Sequence, residues 1–292
     1  MKLLAAVLML LTLGALGDVV DDFTKHCSQF FLDGKPPRMF PDNNAVSDDN
    51  KQICQKYNKE YHYATLYDSK RKIPVYSAYE FKRTEDCKVP RPKMDFRTDS
   101  QLGKVQAFDS DYSKSGYTRG HLFPVCHTDS EDAAKSTCIL TNTAPQEENF
   151  NGIYWAKVED DVRKTLWKDC LNKGRRAYVV TGVVPSREKD LETLKNEGKV
   201  NVPTHFWNAY ACCKTDVNNN CDNNKHEFGG YIMHKDAKTP EKYGEQNTFE
   251  DELTNLYNID CKFKVFADAN SQQPAPSSSG QQSWLKKWCT FL

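Results

Sequence analysis

The sequence predicts an α+β fold, a mixed or antiparallel sheet packed with helices and stabilised by disulfides. Three observations carry that expectation. Ile73, Val75, Ser77, Tyr79 and Phe81 share one alternating face opposite Glu80 and Lys82, the pattern of a half-buried strand. Ala177 to Val184 is a near-continuous apolar run ended by Pro185, which reads as a central strand covered on both faces. From Asn149 the apolar spacing changes to threes and fours through Ile153, Trp155, Val158, Val162 and Leu166, interleaved with charges, which is helical.

In chain order, residues 1–17 read as a secretory leader. Lys2 is their only charge, Leu3 to Leu16 form an apolar core, and Ala15-Leu16-Gly17 offers a small-x-small cleavage site. The stretch is too short for a comfortable membrane span, and no other stretch is apolar enough, so no stable membrane anchor is expected. All 11 cysteines lie beyond it, which fits an oxidising, extracellular compartment and a disulfide framework. Eleven is odd, so at least one thiol is left over or pairs between chains, and Cys289, alone in the tail, is the candidate. Lys+Arg and Asp+Glu are both 40, and removing Lys2 with the leader leaves one net negative charge. A surface-wide basic footprint is therefore excluded, and any phosphate-binding surface is a local patch.

Residues 18 to 60 read as an acidic, coil-rich entry tied down by Cys27 and Cys54, with loops at Pro36-Pro37 and Asp42 to Asp49. Strand character starts at Tyr63. Lys70, Arg71 and Lys72 form a basic turn before Ile73, and residues 84 to 116 are loop-rich. Cys138 to Thr141 is a short β-favouring run that ends at Ala144-Pro145. After the central run, Val202 to Cys213 and Phe228 to Met233 read as further strands. Thr248 to Asp251 opens a helix with a capping-box-like pattern, and Cys261 to Phe263 reads as a last strand. Cys212, Cys213, Cys221 and His226 lack a C-x-x-C pair, so disulfides are expected there rather than zinc. One domain is expected over residues 18–266, followed by a Ser-, Gln- and Pro-rich flexible tail at 267–292.

The chemistry concentrates between Tyr117 and Glu159. On a regular helix Asn151, Trp155 and Glu159 follow at i, i+4 and i+8 along one face. An amide and a carboxylate two turns apart suit hydrated magnesium, which keeps most of its waters and needs few protein oxygens. His121, a strand and a loop upstream, then faces the metal as a general base. His127 has no such partners and reads as an ordinary histidine.

Thr118-Arg119-Gly120-His121 and the downstream Asn151-x-x-x-Trp155 helix resemble the DNA/RNA non-specific endonucleases. That family's ββα-metal core carries Asp-Arg-Gly-His and an Asn-x-x-x-Trp helix. Tyr63 to Asp68, Ile73 to Tyr79 and the Cys212-Cys213 pair resemble the secreted vertebrate endonuclease domain-containing 1 proteins, and the similarity covers residues 25 to 266. The resemblance implies a ββα-metal active-site element and a secreted endonuclease that hydrolyses DNA and RNA with little sequence preference. It implies His121 as general base, Asn151 as ligand of one Mg2+ (or Mn2+), and Glu159 as holder of metal-bound water. Arg71 matches a phosphate-gripping arginine, with the register displaced, or else is a solvated basic turn. Arg119 is a phosphate ligand or a structural donor, and Asn142 is expected beside the substrate, bracing the loop before the helix. Thr118 departs from the family's aspartate, whose expected role is to hold backbone and orient the histidine. That departure and the neutral charge leave a second reading, a secreted binding or immune-associated scaffold that no longer cuts. A Cys289 disulfide between chains is the expected route to any oligomer.

Overall fold

The computed structural model describes residues 17–39, 49–83, 86–87, 89–187, 191–194, 199–216, 221–259 and 262–266, excepting the side chains of 222–225. The leader up to residue 16, the acidic loop 42–48, the tail from 267 and Cys289 lie outside these residues.

The first half holds β1 (Gly17–Val20), α1 (Phe23–His26), β2 (Asn50–Tyr57), β3 (Glu60–Asp68) and β4 (Ile73–Phe81). An insertion follows, with α2 (Asp109–Tyr112), β5 (Tyr117–His121), α3 (Glu131–Thr137), β6 (Thr143–Glu147) and α4 (Ala156–Asp169). The chain then completes the sheet with β7 (Arg176–Val184), β8 (His205–Thr215), β9 (Cys221–His234) and β10 (Glu241–Tyr243) and closes with α5 (Gln246–Tyr257). The main sheet runs β1-β2-β3-β4-β7-β8-β9-β10, and its neighbouring strands are all antiparallel. β5 and β6 form a separate two-stranded ribbon, so the insertion between β4 and β7 is laid on the sheet rather than woven into it.

The expected two-sided burial of the central strand follows from alternation. On β7, Tyr178, Val180 and Val184 enter one hydrophobic cluster, and Ala177, Val179 and Val183 enter the other. β8 repeats this, with Trp207, Ala209 and Ala211 on one face and Phe206 and Tyr210 on the opposite one. The first face is covered by Phe23–Leu32, α5 and Phe263–Phe266, and the second by the insertion and α4.

Four disulfides join Cys27–Cys54, Cys87–Cys126, Cys170–Cys212 and Cys213–Cys221. The zinc arrangement is thereby absent, and His226 instead bonds to Gln246 Oε1 at 2.7 Å. Cys138 is buried and unpaired among the described residues, a free thiol the sequence does not single out; Cys289 lies outside those residues.

Local boundaries differ from the expected ones at three places. The strand expected at Cys138–Thr141 starts at Thr143, because Leu140–Asn142 make a tight helical turn. α5 begins at Gln246 without a side-chain cap, so Thr248 sits inside its first turn. Lys262 and Phe263 are not in a strand; only Lys264 bridges to Arg38. Glu250, fully buried, holds this segment by pairing with Lys264 Nζ at 2.8 Å and accepting from the Val265 amide at 2.9 Å.

Candidate active site

His121 ends β5, Asn151 lies just after β6, and Glu159 sits one turn into α4. The three line one cleft of about 330 Å³ together with Cys87, Val89 and Arg91. The helix that brings Asn151 and Glu159 together is not regular. Phe150–Trp155 form a wide π-type turn that runs directly into α4. The wider turn changes the angular step per residue, so the three residues expected on one face do not share it. Trp155, 1% exposed, packs against Phe150 and Phe206 in the core, whereas Ile153, expected on the apolar side, is 46% exposed. Asn151 and Glu159 stay at the cleft.

Hydrogen-bond bookkeeping orients Asn151. Thr118 Oγ1 donates to the Gln146 carbonyl at 2.9 Å, which commits its single proton. The hydroxyl therefore accepts from Asn151 Nδ2, at 2.9 Å, and the amide turns its Oδ1 away from Thr118. Thr118 thus steadies the proposed metal ligand, not the histidine as expected for the family's aspartate. Gly120 is required on the same ribbon, since a Cβ there would lie 2.1 Å from Gln146 Oε1.

His121 packs its ring at 5.2 Å from Phe96, and its Nε2 is buried with no partner among the described residues. Burial, reinforced by the positive charge of Arg91, pushes its pKa down to about 4, so the imidazole is neutral at neutral pH. Burial pushes the Glu159 carboxyl up to about 8. His127 is a packing residue, as expected. Tyr79 Oη bonds its Nδ1 at 2.7 Å and its Nε2 donates to the Glu159 carbonyl at 2.9 Å, which fixes the start of α4.

The remaining expected residues are placed elsewhere. Asn142 is fully buried. Its Oδ1 accepts from Ser77 Oγ and the Phe123 amide, both at 3.0 Å, and its Nδ2 donates to the carbonyls of Phe123 and Thr137 at 3.1 and 3.2 Å. It braces the loop and has no group left for substrate. Arg119 pairs with Asp109 at 2.6 Å and lies over the rings of Tyr112 and Phe96, the structural half of its expected role. Arg71 pairs with Asp68 at 2.8 Å and lines a different groove with Asn50 and Tyr257. Arg91 is the cation the sequence reading missed. It is exposed, lines the cleft, and its loop is tied beside His121 by Cys87–Cys126. Arg163, 7% exposed, lies one turn past Glu159 with one guanidinium nitrogen on Asp160 and Nη1 unpartnered among the described residues.

A metal fits this donor set only in one form. Among the described residues no three His, Cys, Asp or Glu gather as a protein-built cage would need. The Asn151 amide oxygen and the Glu159 carboxyl, once ionised by the bound cation, would suit a hard, largely hydrated ion such as magnesium.

Comparison with known proteins agrees with this architecture. The model of the family described as DNA/RNA non-specific endonuclease matches residues 42–267. The human endonuclease domain-containing 1 protein is 32% identical over 209 residues, covering 64% of this chain and 38% of that protein. The chain thus spans about two fifths of that relative's length. Nuclease 1, mitochondrial, of Schizosaccharomyces pombe is 28% identical over 220 residues, covering 69% of this chain and 66% of that protein. Among solved structures, a chain of the EndoG/EndoGI complex superposes with a TM-score of 0.50 at 26% identity, covering 63% of this chain and 75% of that one.

Proposed function

This chain belongs to the DNA/RNA non-specific endonuclease family, and we propose on that premise that it is a secreted, magnesium-dependent nuclease of DNA and RNA. The observation that carries the reading is the convergence of a neutral imidazole with a buried Nε2, a carboxamide and a carboxyl in one cleft beside an exposed arginine. His121 Nε2, unpartnered and uncharged, takes the proton of the attacking water. Asn151, held through its Nδ2 by Thr118, and Glu159 would hold the cation and its waters, with Asn151 Oδ1 as the ligand. A bound magnesium would offset the charge that gathers on the phosphate and the leaving 3′-oxygen. Arg91 grips a non-bridging phosphate oxygen from the exposed side of the cleft. Contacts to backbone phosphate rather than base edges give little sequence preference.

The leader at 1–17 and the four disulfides support secretion, with 18–266 as the mature domain and 267–292 as its tail. No helix of the described residues is long and apolar enough to cross a membrane.

Oxidised, secreted protein is expected to nick supercoiled plasmid and degrade RNA with magnesium, and to stop in EDTA. No cleavage with any divalent metal across pH would sink the enzyme reading and leave the non-cutting scaffold. Two variants test the parts. Arg91→Ala is expected to lower kcat/KM for plasmid by about 10–100-fold through the loss of one charge-assisted phosphate contact. Thr118→Val removes the acceptor that orients Asn151 and is expected to weaken binding of Mn2+, read by its electron spin resonance, by about 10–100-fold. Unchanged Mn2+ affinity would remove Thr118 from the site.

A further inference from the structure

β1 carries an arrangement that neither the fold nor the cleft explains. Gly17, its first residue, is packed so closely that a Cβ on it would lie 2.7 Å from Ile53. The same point lies 2.9 Å from Asp99 Oδ2 and 3.1 Å from Gln55 Oε1. Both residues are 0% exposed, and neither of those oxygens has a partner among the described residues. The other oxygen of Asp99 accepts from the Gln101 amide at 2.9 Å, and Gln55 Nε2 donates to Thr141 Oγ1 at 2.8 Å. Two buried acceptors therefore converge on one small residue with no donor between them.

Among the described residues, none of the groups that act on Asp99 supplies a countercharge. Asp18, the nearest charged neighbour on β1, has the same sign and is itself engaged by Lys56 Nζ at 2.8 Å and by Tyr61 Oη. Gln101 and Gln106 are neutral. A buried carboxylate without a counterion is costly, and a water between the two oxygens would supply donors but no charge. The position of the pair in the sequence suggests a donor that supplies both. Gly17 is the residue at which the leader motif Ala15-Leu16-Gly17 ends.

We propose that Asp99 and Gln55 form a receptor for the chain's own processed N-terminus. Cleavage after Gly17 hydrolyses the Gly17–Asp18 peptide bond; one water is consumed, the leader leaves with a carboxylate, and Asp18 keeps an α-ammonium. Gly17 departs with the leader, and the ammonium turns into the space it vacates between Asp99 Oδ2 and Gln55 Oε1. An ammonium has three donors and one positive charge, so it satisfies both oxygens and neutralises the carboxylate. The pairing reaches the site's support. Asp99 begins the loop that leads to Asp109, the partner of Arg119, while Gln55 bonds Thr141, the neighbour of Asn142. Docking of the new terminus then locks the insertion only after the leader has gone.

The inference rests on leader removal as read from the sequence, and intact mass of the secreted full chain tests that step by itself. A terminus at Asp18 is required, and one elsewhere overturns the proposal. The pH dependence of N-terminal acylation then gives the α-amino pKa in the folded protein. We expect it at least about one unit above the ordinary 7.7–8.0, returning to that range in Asp99→Asn. The raised value means stabilisation fully present below the ordinary pKa and lost as pH rises through the raised one. Inserting Ser-Gly between Gly17 and Asp18 is expected to lower Tm by about 5 °C with Asp99 present and far less in Asp99→Asn. An ordinary α-amino pKa in the wild-type chain overturns the proposal even if Asp99→Asn fails to fold. Equal effects of the insertion in both backgrounds also overturn it, and leave a buried water in place.

Discussion

Replacing His121 by alanine is expected to slow cleavage of plasmid and RNA by about 10²–10⁴-fold, the range for loss of a positioned general base. The change should spare the fold. The His121 ring contacts Phe96 and its Nε2 has no partner among the described residues, so removal orphans none of them and relieves an unpartnered buried nitrogen. Rates under saturating magnesium, beside melting curves, separate the two effects. A variant that keeps Tm within a few degrees yet loses cleavage assigns the proton transfer to His121. One that cuts at the wild-type rate assigns it to another group. His121→Gln, which keeps most of the volume but none of the basicity, guards against a packing artefact.

The largest stability effect is expected at Asn142. Asn142→Ala leaves the Ser77 hydroxyl, the Phe123 amide and carbonyl and the Thr137 carbonyl without this partner, all at a fully buried position. Each stranded group costs about 1–3 kcal/mol, and with partial relaxation the sum comes to about 3–5 kcal/mol. For a domain of this size that corresponds to a fall in Tm of about 10 °C. Denaturant or thermal unfolding measures it directly. Cleavage that drops while Tm holds would return Asn142 to the substrate-binding role read from the sequence. Arg71→Ala is the matched control, since its guanidinium pairs with Asp68 in a separate groove and its loss should leave the cleft intact.

The fold was legible where local pattern and burial agree. Ala177–Val184 is apolar at nearly every position because both faces of β7 are covered, and that requirement is written residue by residue. The ribbon-then-helix order around His121 and Asn151 was equally plain, because the motif is contiguous in the chain. Sequence spacing failed where the backbone leaves regular geometry. The i, i+4, i+8 argument assumed an α-helix through Asn151, and the wide turn at Phe150–Trp155 sends Trp155 inward while Asn151 stays at the cleft. Arg91 was invisible for a different reason. Nothing near it in sequence carries chemistry, and the Cys87–Cys126 bridge that brings its loop to His121 is a long-range pairing. Asn142 was read as bracing its loop, which its four hydrogen bonds do, but its full burial away from substrate is a tertiary fact that no local pattern shows.

Cys212 and Cys213 are consecutive residues on one strand, and their side chains leave it in opposite directions, toward Cys170 and Cys221. The bridge from Cys212 ties the end of α4 to the middle of the sheet, and the one from Cys213 closes the β8–β9 hairpin on the other side. One strand is therefore bridged to the cleft layer on one face and to its own sheet neighbour on the other. Peeling away the layer that carries the cleft means pulling on β8, and β8 cannot slide because its neighbour is clamped to it. Heat or mechanical load should then break the oxidised domain in a single event. A reduced domain is expected to delaminate, with the insertion and α4 loosening before the sheet. Two plies glued at one seam fail together, and the same plies unglued fail in turn.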